Sequence, residues 1–463
     1  MRLKSQSCLT LFLFCSLLFV LSSCKKNEDE TNGTEPEISA PVNSYDDRVI
    51  DDWQNLFLKI ERHASGYHPC PTARMLAYTG LGAYESVVSG MPDYKSIAFL
   101  YPGLTLPTVE KDKAYHFPTV INNYYALLFK HFYANVQASD LVEIDSLENF
   151  FNGLYSASVD GAVFDRSKVY GASVANAIWN YSSSDAAGHN KYTDPRPSSY
   201  APPVGDGKWK PTSPGNEAAL FPYWGSTRNF ALGATNKICN APLPYSTSNL
   251  SPYYAQALEV YSKTTPQTPE NQWIAEFWSD DVPCLTFSTP ARWIAITNQV
   301  IEIEHSSLER AVILAMKMGI AINDATLAAW ASKYYYAVER PQTYIQEVML
   351  HPDWNIYDLT STNFLNSTPS YPSYPSAHAV AGAAAAEVLT SVFGDNYQFT
   401  DRCHQNRNSF NGTPRSFNSF YEMAEENAIS RVYLGLNFPM DCSEGVRFGY
   451  EIGKKVNALP YKK

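Results

Sequence analysis

A serine and a histidine stand two positions apart in Tyr374-Pro375-Ser376-Ala377-His378, just ahead of an alanine-rich run over residues 379–389. Pro375 breaks what precedes it, and Ser376 is a good helix N-cap. A helix start offers unpaired N–H groups and the positive end of the helix dipole. With only small side chains around it, such a start admits an oxyanion, and His378 beside it is a proton carrier. The cations for such a seat lie in two further stretches. Lys333 and Arg340 are seven positions apart, close to two helical turns, so one helix face would present both. Pro341 then ends that helix at Arg340. Ser430-Arg431 and, further on, Asn437 and Asp441 add a second arginine, an amide and a carboxylate. Arginine's planar fork matches the oxygens of a tetrahedral anion, and lysine adds a point charge. Taken singly, each cation is as well explained by a salt bridge, for instance with Glu339 or Asp441; their ordered set points to a pocket.

The three stretches resemble, in order and spacing, the tripartite signature of vanadium-dependent haloperoxidases and type 2 phosphatidic acid phosphatases: Lys, six residues, Arg-Pro; then Pro-Ser-Gly-His; then Ser-Arg, five residues, His, three residues, Asp. The surroundings match the haloperoxidase-like branch, in Asn323-Asp324-Ala325, in Trp330 and in residues 368–372 and 425–431, and residues 71–85, 209–232 and 272–281 look like its N-terminal half. The resemblance implies an all-α fold, a large helical bundle with long irregular loops. It implies oxyanion binding by Lys333, Arg340, Ser376, Ala377 and Arg431, acid–base work by His378, an orienting role for Asp441, and a pocket wall including Tyr371 and Trp330. Two positions depart from the signature. Ala377 replaces glycine, and Asn437 stands where the family has the histidine that is nucleophile or vanadium ligand. An amide is not nucleophilic and cannot bond a metal as imidazole does. The implied ligands are phosphate, a phosphoester or the cofactor vanadate. Phosphoester hydrolysis is the expected reaction, and a degenerate oxyanion-binding protein is the alternative.

The elements that must position these residues are helical. Apolar residues at three and four spacing predict helices over 72–88, 124–135, 141–156, 166–182, 252–263, 270–278, 290–305, 308–339, 377–393 and 417–434. Long loops rich in Pro, Tyr, Ser and Asn separate them, notably 189–226 and 353–374; no strand ladder and no constant repeat is evident. Residues 311–331 are apolar enough to suggest a membrane span, but Lys317, Asn323 and Asp324 interrupt them, which fits a buried central helix. The chain divides into an N-terminal helical half, 45–265, and a C-terminal half, 266–463, carrying the signature.

Ahead of these, Arg2 and Lys4 precede an apolar run over 9–21 that ends in Leu21-Ser22-Ser23-Cys24. This reads as a signal peptide over 1–23 with a lipobox-like end, lipid on Cys24 and a tether over 24–44, the membrane being reached through the lipid anchor. The acidic Glu28-Asp29-Glu30 points to the outer membrane and the cell surface. A net charge of −11 argues against nucleic acid as a partner. Export permits disulfides among Cys70, Cys239, Cys284, Cys403 and Cys442, with Cys403–Cys442 the expected pair because both lie near site elements; no spacing resembles a zinc motif. The 32 tyrosines, with the lipobox and the tether, leave a surface glycan-binding lipoprotein as a further alternative.

Overall fold

The structure, a computed structural model, describes residues 38–233, 235–282, 285–356, 368–407 and 411–463. The expected signal peptide, the lipid site at Cys24, most of the tether and Cys284 lie outside the described residues. In chain order the helices are α1 (Arg48–Glu61), α2 (Cys70–Val87), α3 (Phe117–Phe132), α4 (Ala138–Ser156), α5 (Gly161–Ser183), α6 (Pro252–Thr264), α7 (Pro269–Phe277), α8 (Thr289–Ile303), α9 (Leu308–Tyr336), α10 (Pro341–Glu347), α11 (Ala377–Phe393), α12 (Phe420–Tyr433) and α13 (Pro439–Asn457). One antiparallel pair of three-residue strands, β1 (Phe399–Asp401) and β2 (Arg415–Phe417), and five single 3₁₀ turns complete the regular structure among the described residues.

Every expected helix is present, so the fold is all-α as expected. The helix expected to run to residue 339 ends at Tyr336. Ala337 takes the left-handed conformation, φ 52°, and its N–H closes on the Lys333 carbonyl at 2.8 Å. Lys333 and Arg340 therefore share no helix face: the lysine is in the last turn, and the arginine sits on an extended link before α10. Helices α1, α10 and α13 and the strand pair were not read from the sequence. In α13 the glycines 445, 449 and 453 look like breakers.

Those glycines are packing devices. A methyl added at Gly445 would stand 2.9 Å from the Ser376 carbonyl oxygen, and one at Gly449 would overlap the Val380 carbonyl. Helix α13 thus lies directly on the alanine face of α11 and fixes where α11 begins. A second close approach joins α2 to α9, where side chains at Gly80 and Gly319 would overlap backbone of Ala315 and Leu76.

Helix α9 is long and apolar enough to cross a membrane, yet its most apolar stretch is wholly buried inside the bundle. Each charged interruption is answered, because an unpaired buried charge costs several kcal/mol or shifts its pKa. Lys317 donates to Ser391 Oγ at 2.8 Å, and burial lowers its pKa to about 8. Asp324 accepts the N–H groups of Phe230, Ala231 and Leu232 at 2.9, 2.7 and 3.0 Å, pinning the long loop between α5 and α6 to the core. That loop then reaches the signature segments: Trp209 N–H donates to the Ala337 carbonyl at 2.7 Å and Leu220 N–H to the Ser370 carbonyl at 2.8 Å.

Candidate functional site

The start of α11 is built as its sequence predicts. Ser376 is the N-cap, its Oγ accepting the Ala379 N–H at 3.4 Å, while its own N–H donates to the Asp441 carbonyl at 2.9 Å. The Asp441 carboxylate gathers the segment before it: Oδ2 accepts from Ser373 Oγ at 2.5 Å, from Asn437 Nδ2 at 3.0 Å and from the Phe438 N–H at 3.0 Å. Asn437 Nδ2 also donates to the Ser373 carbonyl at 2.9 Å. Acceptors on that side fix the amide orientation, so its NH2 belongs to the Ser373–Asp441 framework.

Lys333 takes a different place from the one its sequence suggests. Its ammonium donates to the carbonyls of Pro372, Ser373 and Pro375 at 2.9, 2.7 and 2.6 Å. All three of its protons are thereby committed to the loop that delivers Ser376. Burial, with Arg340 beside it, lowers its pKa well below the ordinary lysine value. Arg340 grips two wall residues, through Nε to the Tyr371 carbonyl at 3.0 Å and Nη1 to the Leu436 carbonyl at 2.8 Å. Its Nη2 is buried with no acceptor among the described residues. The guanidinium carbon also lies 4.9 Å from the Tyr371 ring centroid.

A cavity of about 350 Å³ opens beside this framework. Of the expected residues, Tyr371, His378 and Arg431 line it; Lys333, Arg340, Ser376, Asn437 and Asp441 are buried outside its lining, and Ala377 is part-buried. Trp330 does not line it either. Its indole N–H donates to the Leu220 carbonyl at 3.3 Å, and its ring stands 4.9 Å behind Tyr371, a backing rather than a wall. Arg431 donates through Nη1 to the Trp278 carbonyl at 3.1 Å, while its Nε is buried without an acceptor among the described residues.

His378 is buried, and burial, then Arg431, Lys333 and Arg340, hold its pKa well below the ordinary histidine value. Three cations therefore act on one neutral imidazole. Its Nε2 lies 2.9 Å from Thr289 Oγ1, which donates to Asp281 Oδ2 at 3.2 Å. With the threonine proton given to Asp281 Oδ2, Thr289 Oγ1 accepts from Nε2, which carries the imidazole proton, and Nδ1 is left as the basic nitrogen.

The sequence reading missed most of the cavity's other charges. Asp280 and Asp281, after α7, and His68, before α2, all line it. Burial pushes Asp280 up to about 8, and neither of its oxygens has a hydrogen bond among the described residues. Burial opposes the charge on His68, but Glu61, 3.0 Å from Nε2, outweighs it and raises the imidazole to about 9. Its Nδ1 faces Asp281 Oδ1 at 3.9 Å. Arg196 and Glu217 line the cavity as a closed ion pair at 2.5 Å. Adjacent carboxylates after a helix end were the one available signal; a lone histidine and two loop residues carry no periodicity. The expected Cys403–Cys442 pair is not formed. Both thiols are free, Cys442 buried on α13 and Cys403 accepting from Gln299 Nε2 at 3.0 Å.

A model of the VCPO second helical-bundle domain matches residues 313–460, the stretch holding all three signature segments. Among solved structures, the chain is similar to the first bacterial vanadium-dependent iodoperoxidase, with a TM-score of 0.78 at 26% identity over 92% of this chain and 99% of that one. It also superposes on the holo and apo forms of a bacterial vanadium-dependent chloroperoxidase, with TM-scores of 0.62 and 0.63 at 14% identity, a likeness of fold. These cover 85% of this chain and 94% and 96% of theirs. No curated protein sequence matches significantly.

Proposed function

We propose, on the premise that the chain belongs to the vanadium-dependent haloperoxidase and type 2 phosphatidic acid phosphatase superfamily, that its cavity holds a tetrahedral oxyanion by charge and hydrogen bonds alone. One observation carries this reading: Arg431 lines the cavity with its Nε a buried N–H donor without an acceptor among the described residues, and Arg340, just outside that lining, holds a second such donor in Nη2. A buried donor left unpaired costs about 1–3 kcal/mol, which an anion's oxygens recover. The first turn of α11 adds further N–H groups. Lys333 contributes field rather than contact, since its protons are spent on the loop.

These residues fit phosphate, or vanadate as a phosphate-like anion. They do not fit a vanadium centre bonded to imidazole, because the signature spacing gives the histidine's position to Asn437, whose NH2 is held by Ser373 and Asp441. No step through such a centre follows.

Phosphoester hydrolysis by direct attack of water is a second reading, favoured by His378. Its free Nδ1 takes a proton as the water oxygen bonds to phosphorus, the ester P–O bond breaks, and the proton passes to the departing alkoxide. Loss of a covalent nucleophile costs on the order of 10⁴ to 10⁶ in rate, so this path is slow.

Calorimetric titration of purified protein with phosphate and vanadate, beside an aryl phosphate assay of wild type and Asn437→His, tests both readings. We expect saturable anion binding that Arg340→Ala and Arg431→Ala each abolish, and hydrolysis raised by roughly 10² or more in Asn437→His. Full affinity in both arginine variants would sink the oxyanion reading.

A further inference from the structure

The cavity is far larger than one tetrahedral oxyanion needs, and its second charge is of the wrong sign for one. Asp280 lines the cavity, its side chain itself fully buried, and neither of its oxygens is hydrogen-bonded among the described residues. His378 Nε2 lies 3.8 Å from its Oδ2 but is engaged by Thr289. Asp281 Oδ1 likewise has no hydrogen bond, only the His68 ring nitrogen at 3.9 Å. Arg431, 2% exposed, lines the same cavity with its Nε unpaired. Unpaired donors of one charge and unpaired acceptors of the other thus share a single cavity. The remaining lining charges, Arg196 and Glu217, satisfy each other and need no ligand.

Resting on the oxyanion reading above, we propose that the ligand is a phosphate monoester or phosphonate that also carries a primary ammonium, its phosphate end on Arg431 and its ammonium on Asp280 and Asp281. A primary ammonium has three N–H donors, and the two carboxylates offer three unbonded oxygens, Asp280 Oδ1, Asp280 Oδ2 and Asp281 Oδ1. Charge-assisted hydrogen bonds of this kind are the strong ones, above all where water is excluded. Leu434 and Leu436 also line the cavity and offer a short alkyl spacer apolar surface. Bare phosphate leaves the carboxylates unpaired, and an anionic organic group is repelled by them.

The test titrates the full chain at pH 9, where Asp280 has given up its proton, with inorganic phosphate, 2-aminoethylphosphonate and n-propylphosphonate. The two phosphonates differ by an ammonium in place of a methyl, and neither depends on turnover. The aminophosphonate is expected to bind about tenfold or more tighter than its isostere. In Asp280→Asn/Asp281→Asn, checked for folding by thermal melt, that advantage should collapse while phosphate affinity rises with the loss of negative charge. Equal affinities of the two phosphonates for the wild type, with phosphate still bound, would overturn the ammonium site and leave the oxyanion reading standing. Failure of all three probes to bind would overturn both.

Discussion

Two buried aspartates near Arg292 are treated in opposite ways. Asp401, fully buried at the end of β1, accepts from Arg292 Nη2 at 2.7 Å, from Gln299 Nε2 at 3.2 Å and from the Cys403 N–H at 2.8 Å. Asp280 feels the charges of Arg292 and Arg431 but accepts no hydrogen bond among the described residues. The first carboxylate has its hydrogen bonds filled by the protein and does not line the cavity beside Arg431; the second, equally buried, is left without hydrogen bonds in a residue that lines it. Burial alone does not separate a framework residue from a site residue. What separates them is whether the fold spends their hydrogen bonds.

The sharpest way to break that distinction is to neutralise each. Asp401→Asn leaves Arg292 as a buried unpaired cation and should cost about 3–5 kcal/mol of unfolding free energy in urea titration. Asp280→Asn should cost far less, with a sign that depends on pH. The folded pKa of Asp280 is raised from 3.8 to about 8, so between those values the native chain holds a proton that the unfolded chain releases. Its contribution to stability therefore falls as pH climbs through that window. The asparagine variant should match the wild type near pH 4 and gain on it towards pH 9. Equal losses in the two variants at pH 9 would erase the contrast between closed and open carboxylates.

The same contrast explains what the sequence disclosed. Helices with one apolar face were legible because periodicity reports burial. The start of α11 was legible because Ser376 after Pro375 is a local capping signal. Helix α13 was hidden by glycines that serve close packing against α11, a tertiary demand that looks like a local defect. The signature cations were found, but not their duties: nothing in Lys333 or its neighbours says that three distant carbonyls will take its protons. His68, Asp280 and Thr289 meet His378 and Arg431 only through folding, from segments without a common motif. Trp330 was placed one layer too far forward because spacing along α9 gives direction but not depth.

His68 sharpens the comparison from the other side, since it lines the open cavity yet is closed by Glu61. Its imidazole is raised from 6.5 to about 9, because Glu61 outweighs the cost of burial. A raised histidine stabilises the fold fully below its unfolded pKa and loses that contribution as pH rises through the folded value. His68→Gln keeps an N–H donor for the Glu61 carbonyl, which now receives Nε2 at 2.8 Å, but removes the charge. The variant should be about 1 kcal/mol less stable than wild type at pH 6, with the gap closing towards pH 10: the same direction of slope as Asp280→Asn, but running from a loss to parity where Asp280→Asn runs from parity to a gain. Urea midpoints of both variants across pH 5 to 10 would read the two slopes in one experiment. A gap for His68→Gln that does not move with pH would mean that the imidazolium is not what holds Glu61, and that pairing at the cavity wall follows shape rather than charge.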